Sequence, residues 1–292
     1  MIRLDDHWLD RNPLPETEHR TNKNERGRVF VVGGSALVPG ALRLTGEAAL
    51  RAGAGKLQLG TVAESGTLLG MFVPEAAAVA LPSTAGGELS ADGVDVLLEH
   101  ASACDALVLG PGMHGSKECE RLVRAVIERL PGEVAVILDA GAIAAAATCK
   151  ELLRDHAGAV ILTPHPGEMA SLSGLDVDQV QQDAWAIARR TADELQAIVC
   201  LKDARTIIAA PGGKEVEFDG GTPALATGGS GDVLAGIVGG LVARGAPPFV
   251  AAAWAVWTHG SAGSALARGY GGTGLLSREL LPLIPRFLNR QH

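Results

Sequence analysis

Aromatic residues are scarce: Phe, Trp and Tyr together make up 3% of the 292 residues. A core of domain size must then be built mainly from Ala, Val, Leu and Ile, which fits a hydrophobic content of 47%. Paired cysteines are lacking as well. Cys104, Cys119, Cys149 and Cys200 stand far apart with no CxxC pair, the pattern of reduced thiols in a cytoplasmic protein. There is no basic stripe interleaved with aromatics, and the net charge is −8, so nucleic acid is not an expected partner. Long apolar runs are missing too. VLAGIVGGLVA (233–243) falls short of the roughly 20 residues that span a bilayer, and MIRLDDHWLD at the start has no apolar stretch of a secretory signal.

Glycine is what the chain has in excess, 38 residues gathered in short clusters between apolar runs. Residues 1–26 read as a polar arm laid over the surface or partly disordered, and 27–292 as one α/β domain. From Arg28 onward, short β-branched runs alternate with Ala-rich segments of helical length. The runs are RVFVVGG (28–34), KLQLGT (56–61), DALVLGPG (105–112), VAVILDAG (134–141), AVILTPHPGE (159–168) and AIVCLKD (197–203). Each is nearly continuous in apolar character, which predicts strands covered on both faces. Helices are expected near 41–53, 116–130, 142–154, 178–195, 232–244, 248–267 and 277–289, the last capped by Ser277. This alternation predicts a mostly parallel central sheet with helices on both faces.

Five of those runs end in small or punctuating residues: GGS (33–35), GPGM (110–113), DAG (139–141), TPHPGE (163–168) and KDART (202–206). In an open parallel sheet such ends share one rim, where ligands bind. ALATGGSGDVLAG (224–236) adds a glycine turn directly before an apolar helix. Successive amides of Gly228, Gly229, Ser230 and Gly231 suit an anion hole, reinforced by the positive end of that helix. A plain tight turn is the simpler reading of GGSG taken alone, and no Lys-Ser/Thr follows to make a Walker A loop. Asp232 is either a helix cap or a base that takes a proton from a hydroxyl attacking phosphorus; with the rest of the rim counted, we read it as the base.

His165, stiffened by Pro164 and Pro166, is read as a ligand contact. Glu168 is either a helix-starting acid or a site residue. Lys202 and Arg205 could meet phosphates, or Lys202 could pair with Asp203. His259, in AAAWAVWTHGSAG, is read as a satisfied core histidine, with Trp254 and Trp257 as packing.

Taken in order, GGS…PGA (33–41), GPGM, LDAG, LTPHPGEM, LKDART and ALATGGSGDVLAG resemble the ADP/ATP-dependent NAD(P)H-hydrate dehydratases of the ribokinase-like superfamily. The resemblance runs from about Lys23 to Pro285, and the PHPGE and GGSGD pair is its specific part. It implies a ribokinase-like α/β fold and a repair reaction on the S epimer of hydrated NADH or NADPH, driven by ADP or ATP with Mg2+. It further implies that Asp232 takes the hydroxyl proton and that Gly231 with its neighbours holds the transferring phosphate. Lys202, Asp203, Ala204, Arg205, Thr206 and Gly231 would line the adenine nucleotide. Ala41, Gly112, His165 and Asp232 would meet the hydrated dinucleotide. A homo-oligomer is implied, and a stand-alone dehydratase with its epimerase, if any, separate. Gly141, Asp203 and Thr222 depart from the family pattern. The rival of the same superfamily is a small-molecule kinase resembling hydroxyethylthiazole kinase, which would leave a stable phosphate ester.

Overall fold

The computed structural model describes residues 2–16, 22–23, 25–156 and 159–290. Among these described residues nine strands form one sheet: β1 (Arg28–Val32), β2 (Lys56–Val62), β3 (Ala76–Leu81), β4 (Ala106–Leu109), β5 (Ala135–Leu138), β6 (Val160–Leu162), β7 (Ile198–Leu201), β8 (Thr206–Ala210) and β9 (Lys214–Phe218). Their order is β3-β2-β1-β4-β5-β6-β7-β8-β9. Every pair from β3 to β7 is parallel, and β7–β8 and β8–β9 are antiparallel. All six runs expected as strands are present, and the sheet is mostly parallel as expected.

Three strands escaped the sequence reading. β3 is an edge strand of AAAVAL with three exposed alanines, so it lacks the β-branched signature of a covered strand. β8 and β9 form a hairpin around Pro211-Gly212-Gly213, with Gly212 and Gly213 at positive φ.

Strand residues alternate between two cores, one on each face of the sheet. Val29 and Val31 point into one and Phe30 and Val32 into the other. The first core is covered by α1 (Asp6–Arg11), α2 (Gly40–Arg51), α3 (Ala63–Phe72), α11 (Ser230–Ala243), α12 (Pro248–Tyr270) and α13 (Ile284–Leu288). The second is covered by α4 (Val94–Ala101), α5 (Lys117–Arg129), α6 (Gly141–Ala146), α7 (Lys150–Asp155), α8 (Pro166–Ser173), α9 (Val177–Gln182) and α10 (Ala184–Leu195). The helices expected over 142–154 and 178–195 are each two short ones, and 277–289 is two 3-10 turns followed by α13.

The N-terminal residues are more than a surface arm. Asp5 caps α1 by accepting the Trp8 amide at 2.9 Å, and Leu4, Trp8 and Leu9 enter the first core. Leu4 donates its amide to the Glu217 carbonyl at 2.7 Å, lengthening the β9 edge. Met1, residues 17–21 and Asn24 of the expected arm lie outside the described residues. Trp254 donates Nε1–H to the Asn12 carbonyl at 2.8 Å and meets Trp257 edge-on at 5.9 Å, so both tryptophans do pack.

α11 is the most enclosed helix of the first layer, and its glycines are the reason. A Cβ on Gly236 would lie 2.2 Å from the Thr45 carbonyl oxygen, and one on Gly240 would lie 2.4 Å from that of Ala49. Helix α2 therefore lies backbone-to-backbone on α11, and both helices start at the same rim. We predict that Gly236→Val lowers stability by about 3 kcal/mol through overpacking, read as a drop in the denaturant midpoint. An unchanged midpoint would show that the two helices can part without loss.

Candidate active site

The rim is made by the carboxyl ends of the parallel strands. Strand order reverses between β1 and β4, the place where open α/β sheets bind ligands. There Gly34 donates its amide to the Pro111 carbonyl at 2.7 Å, joining the GGS and GPGM loops. A Cβ on Gly112 would fall 2.8 Å from that of Ala41 and 2.9 Å from the Val38 carbonyl oxygen. Ala41 and Gly112 are thus brought together, Ala41 in the first turn of α2 and Gly112 at φ +69°.

Across the rim, the glycine turn opens α11 two residues earlier than expected. Gly229 is the cap at φ +87°, helix begins at Ser230, and Asp232 is its third residue rather than its cap. Among the described residues no acceptor is bonded to the amides of Gly228, Gly229, Gly231 or Asp232, whereas the Ser230 amide donates to the Thr227 carbonyl at 3.3 Å. Four free N–H groups at a helix N-terminus form an anion nest.

Beneath Gly231 lies the Lys202 ammonium, 3.1 Å from where a Cβ would stand. Lys202 follows β7 and donates to Asp139 Oδ1 at 3.1 Å, and Thr163, following β6, donates to the same oxygen at 2.7 Å. Asp139 follows β5 and is buried at 2% exposure. The next residue, Ala140, has φ 46° and ψ −126°, a strained conformation for a side-chain-bearing residue. A Cβ on Gly110 would overlap the Asp139 carbonyl oxygen at 1.9 Å, so β4 and β5 close tightly around this acid. Sequence reading missed the Lys202–Asp139 pair. Its only trace was a polar residue at each of three adjacent strand ends.

Electrostatics follow from this crowding. Burial, then repulsion from Asp139 and Glu168, push the Asp232 carboxyl up to about 7, with Lys202 acting in the opposite sense. Burial alone would lower the Lys202 pKa, yet Asp139, Glu168 and Asp232 hold it above its ordinary value. Glu168 is raised by burial and by Asp139, against the attraction of Lys202 and His165. Among the described residues no group donates a hydrogen bond to the Asp232 carboxylate, which is half-buried and reachable from the rim.

His165 and Glu168 share a capping box at the start of α8. His165 Nδ1 accepts the Gly167 and Glu168 amides at 3.0 and 3.2 Å, and Glu168 Oε2 accepts the His165 amide at 2.9 Å. Both readings of Glu168 therefore have support: it starts a helix and it faces Lys202. The His165 ring is exposed. Arg205 and Asp203 are exposed and turned sideways. Arg205 pairs with Glu217 at 3.6 Å, and Asp203 accepts its neighbour Ala204's amide at 2.8 Å and Gln181 at 3.4 Å. Lys202 is thus partnered by Asp139, not by Asp203. Thr206 begins β8. His259 is satisfied, as expected, by a 2.9 Å bond between its Nε2 and Ser230 Oγ.

The three departures also find local reasons. Gly141 lies where a Cβ would meet the Met113 carbonyl oxygen at 2.7 Å, so this backbone admits no side chain. Thr222 accepts the Ala224 amide at 3.4 Å and caps the turn before the nest. Asp203 closes the β7–β8 turn on its own neighbour.

Comparison with known proteins converges on one family. The model for the NAD(P)H-hydrate dehydratases matches residues 29–286. An ADP-dependent (S)-NAD(P)H-hydrate dehydratase of Xanthomonas campestris is 42% identical over 97% of this chain and 94% of its own. A bifunctional NAD(P)H-hydrate repair enzyme of Moorella thermoacetica is 40% identical over 95% of this chain, which spans 52% of that longer protein. Among solved structures, the ADP/ATP-dependent NAD(P)H-hydrate dehydratase of Bacillus subtilis co-crystallised with ATP and Mg2+ superposes with a TM-score of 0.83. It is 29% identical over 100% of this chain and 99% of its own. A Pyrococcus horikoshii hydroxyethylthiazole kinase, 18% identical over 92% of this chain and 93% of its own with a TM-score of 0.60, shares the fold.

Removing one partner of the Lys202–Asp139 pair leaves a buried charge uncompensated. We predict that Lys202→Met costs about 3 kcal/mol of stability. Equal thermal midpoints for Lys202→Met and the parent protein would contradict the burial of Asp139.

Proposed function

Since the chain belongs to the NAD(P)H-hydrate dehydratase family, matched over residues 29–286, we propose that it converts the S epimer of hydrated NADH or NADPH back to the reduced cofactor, with ADP, or else ATP, as phosphoryl donor. The observation that carries this reading is the placement of the Asp232 carboxyl in the first turn of α11 beside unbonded amides, where burial pushes it up to about 7.

The chemistry follows from leaving-group ability. Hydroxide leaves a carbon poorly and phosphate leaves well. Asp232 takes the proton of the ring hydroxyl as its oxygen attacks the terminal phosphorus. The amides of Gly228, Gly229 and Gly231 receive the phosphoryl oxygens, and the Lys202 ammonium next to Gly231 offsets their charge. AMP departs from ADP, or ADP from ATP. The lone pair of the ring nitrogen then expels phosphate, and loss of the neighbouring carbon's proton restores the dihydropyridine. A kinase using the same nest would stop at the phosphate ester. The family match supports the elimination.

In this reading the adenine nucleotide lies along Lys202, Asp203, Ala204, Arg205 and Thr206, and the hydrate along Ala41, Gly112 and His165. The two groups flank Gly231 and Asp232. Mg2+ is the expected companion of the nucleotide. Among the described residues no three His, Cys, Asp or Glu side chains are disposed to hold a metal, and Asp139 is occupied by Thr163 and Lys202. The side chains alone thus make no metal cage, as is common for Mg2+ carried on phosphates, and no residue is assigned to it. No helix among the described residues is long and apolar enough to cross a membrane. We place the protein in the cytoplasm as a homo-oligomer. Four free, buried cysteines support a reducing compartment.

Purified protein given NADH hydrate and ADP should form NADH and free phosphate in equal amounts; accumulation of a stable phosphate ester instead would favour the kinase. Because Asp232 must be ionised to act, kcat/KM should fall about tenfold per pH unit below about pH 7. A flat profile down to pH 5 would remove Asp232 as the base. Folding raises this carboxyl above its unfolded value near 4, so the native state takes up a proton and its stability declines as pH rises from about 4 to 7. Asp232→Asn should therefore abolish turnover yet raise the unfolding midpoint at pH 8, checked by thermal melts at pH 5 and pH 8.

A further inference from the structure

The anion nest is made of residues that resist order. Glycine loses more backbone freedom on folding than any other residue, so an ordered glycine turn carries a large entropic cost. Parallel N–H dipoles with no acceptor also repel one another. Amides help a transition state most when they are already aimed, so something outside the turn must hold it.

Two side chains do so, from elements after α11. Ser277, in the 3-10 turn Ser277–Glu279, donates its hydroxyl to the Gly228 carbonyl at 2.7 Å. It is buried, and a Cβ on Gly229 would meet its Cβ at 3.5 Å, so the turn lies directly against it. Sequence reading took Ser277 for the cap of a helix. The cap position belongs to Leu276, and the Ser277 hydroxyl serves the glycine turn instead. From α12, His259 Nε2 lies 2.9 Å from Ser230 Oγ. Burial and the nearby Lys202 hold the His259 pKa down at about 4, so at neutral pH the ring is uncharged and Nε2 can accept the serine proton. With its amide on Thr227 and its hydroxyl on His259, Ser230 has neither donor left for an anion. Its part is to shape the turn while Gly228, Gly229 and Gly231 offer their amides.

We propose that Ser277 and His259 are positioning residues which hold the amides of Gly228, Gly229 and Gly231 in their anion-receiving arrangement before any nucleotide arrives. The proposal rests on the dehydratase reading for its catalytic consequence, but the order of the turn can be measured without turnover.

The test compares the parent protein with Ser277→Ala, Ser277→Thr, His259→Ala and His259→Gln, the second of each pair keeping a hydroxyl or an acceptor. Amide hydrogen exchange over 226–234 is read in nucleotide-free protein at the bonded amides of Ser230 and Val233, which donate to Thr227 and Gly229, alongside kcat and the KM for ADP in the dehydration assay. In both alanine variants exchange over 226–234 should quicken at least tenfold while α2 keeps its protection. The kcat should fall 10- to 100-fold with KM changed less than threefold, and the conservative variants should recover most of both. Unchanged exchange over 226–234 overturns the proposal, as does equal loosening of α2, which would make these residues general stabilisers. A parent protein without dehydratase turnover would sink the functional reading alone, leaving the exchange result to decide this one.

Discussion

One half-buried cation organises the rim. The Lys202 ammonium lies within the field of three carboxylates, Asp139, Glu168 and Asp232, each carried to it by a separate chain segment. Without it, three acids at partly closed positions would repel one another and resist ionisation. With it, the charge balance is uneven in a useful way. Asp139 takes the direct bond and Thr163 fixes it there. Asp232 gets only the more distant attraction, too weak to offset burial and its acidic neighbours. One acid is thus committed to holding the cation, while the other is left open and titrates near neutrality.

The same arrangement explains why the fold tolerates local strain. Ala140 adopts a backbone conformation that alanine avoids, at a cost of about 1–3 kcal/mol. That residue lets the chain turn from β5 into α6 immediately after Asp139, so the acid stays at the strand end beneath the nest. Gly110 and Gly141 clear the space on either side. The α2–α11 contact performs the matching task from the other face, bringing the first turns of two helices to one rim. Ala41 and Gly231 are carried there by those helices, and neither is placed by a loop of its own.

Much of this was legible before any coordinates. Continuous apolar runs ending in glycine, aspartate or proline marked six strands of a parallel sheet, and their ends marked the rim. GGSGD and PHPGE indicated where charge and free amides would collect. What stayed hidden depended on pairings between distant segments. Lys202 read as a phosphate contact or as a partner for its neighbour Asp203, because nothing local announces that Asp139, 63 residues away, stands at the end of β5, two strands over from β7. Ser277 and His259 read as a cap and a core residue, since their bonds run to a glycine turn that periodicity cannot locate. β3 was hidden by its alanines, and α1 was masked by the charges around Trp8 and Leu9, the two residues it buries.

The most direct test of the account is a crystal structure of the protein with ADP and a non-reacting reduced dinucleotide. It should place terminal phosphate oxygens about 2.7–3.1 Å from the amides of Gly229 and Gly231, with the nicotinamide ring beside Asp232. A terminal phosphate bound elsewhere on the rim, with those amides facing water, would contradict it.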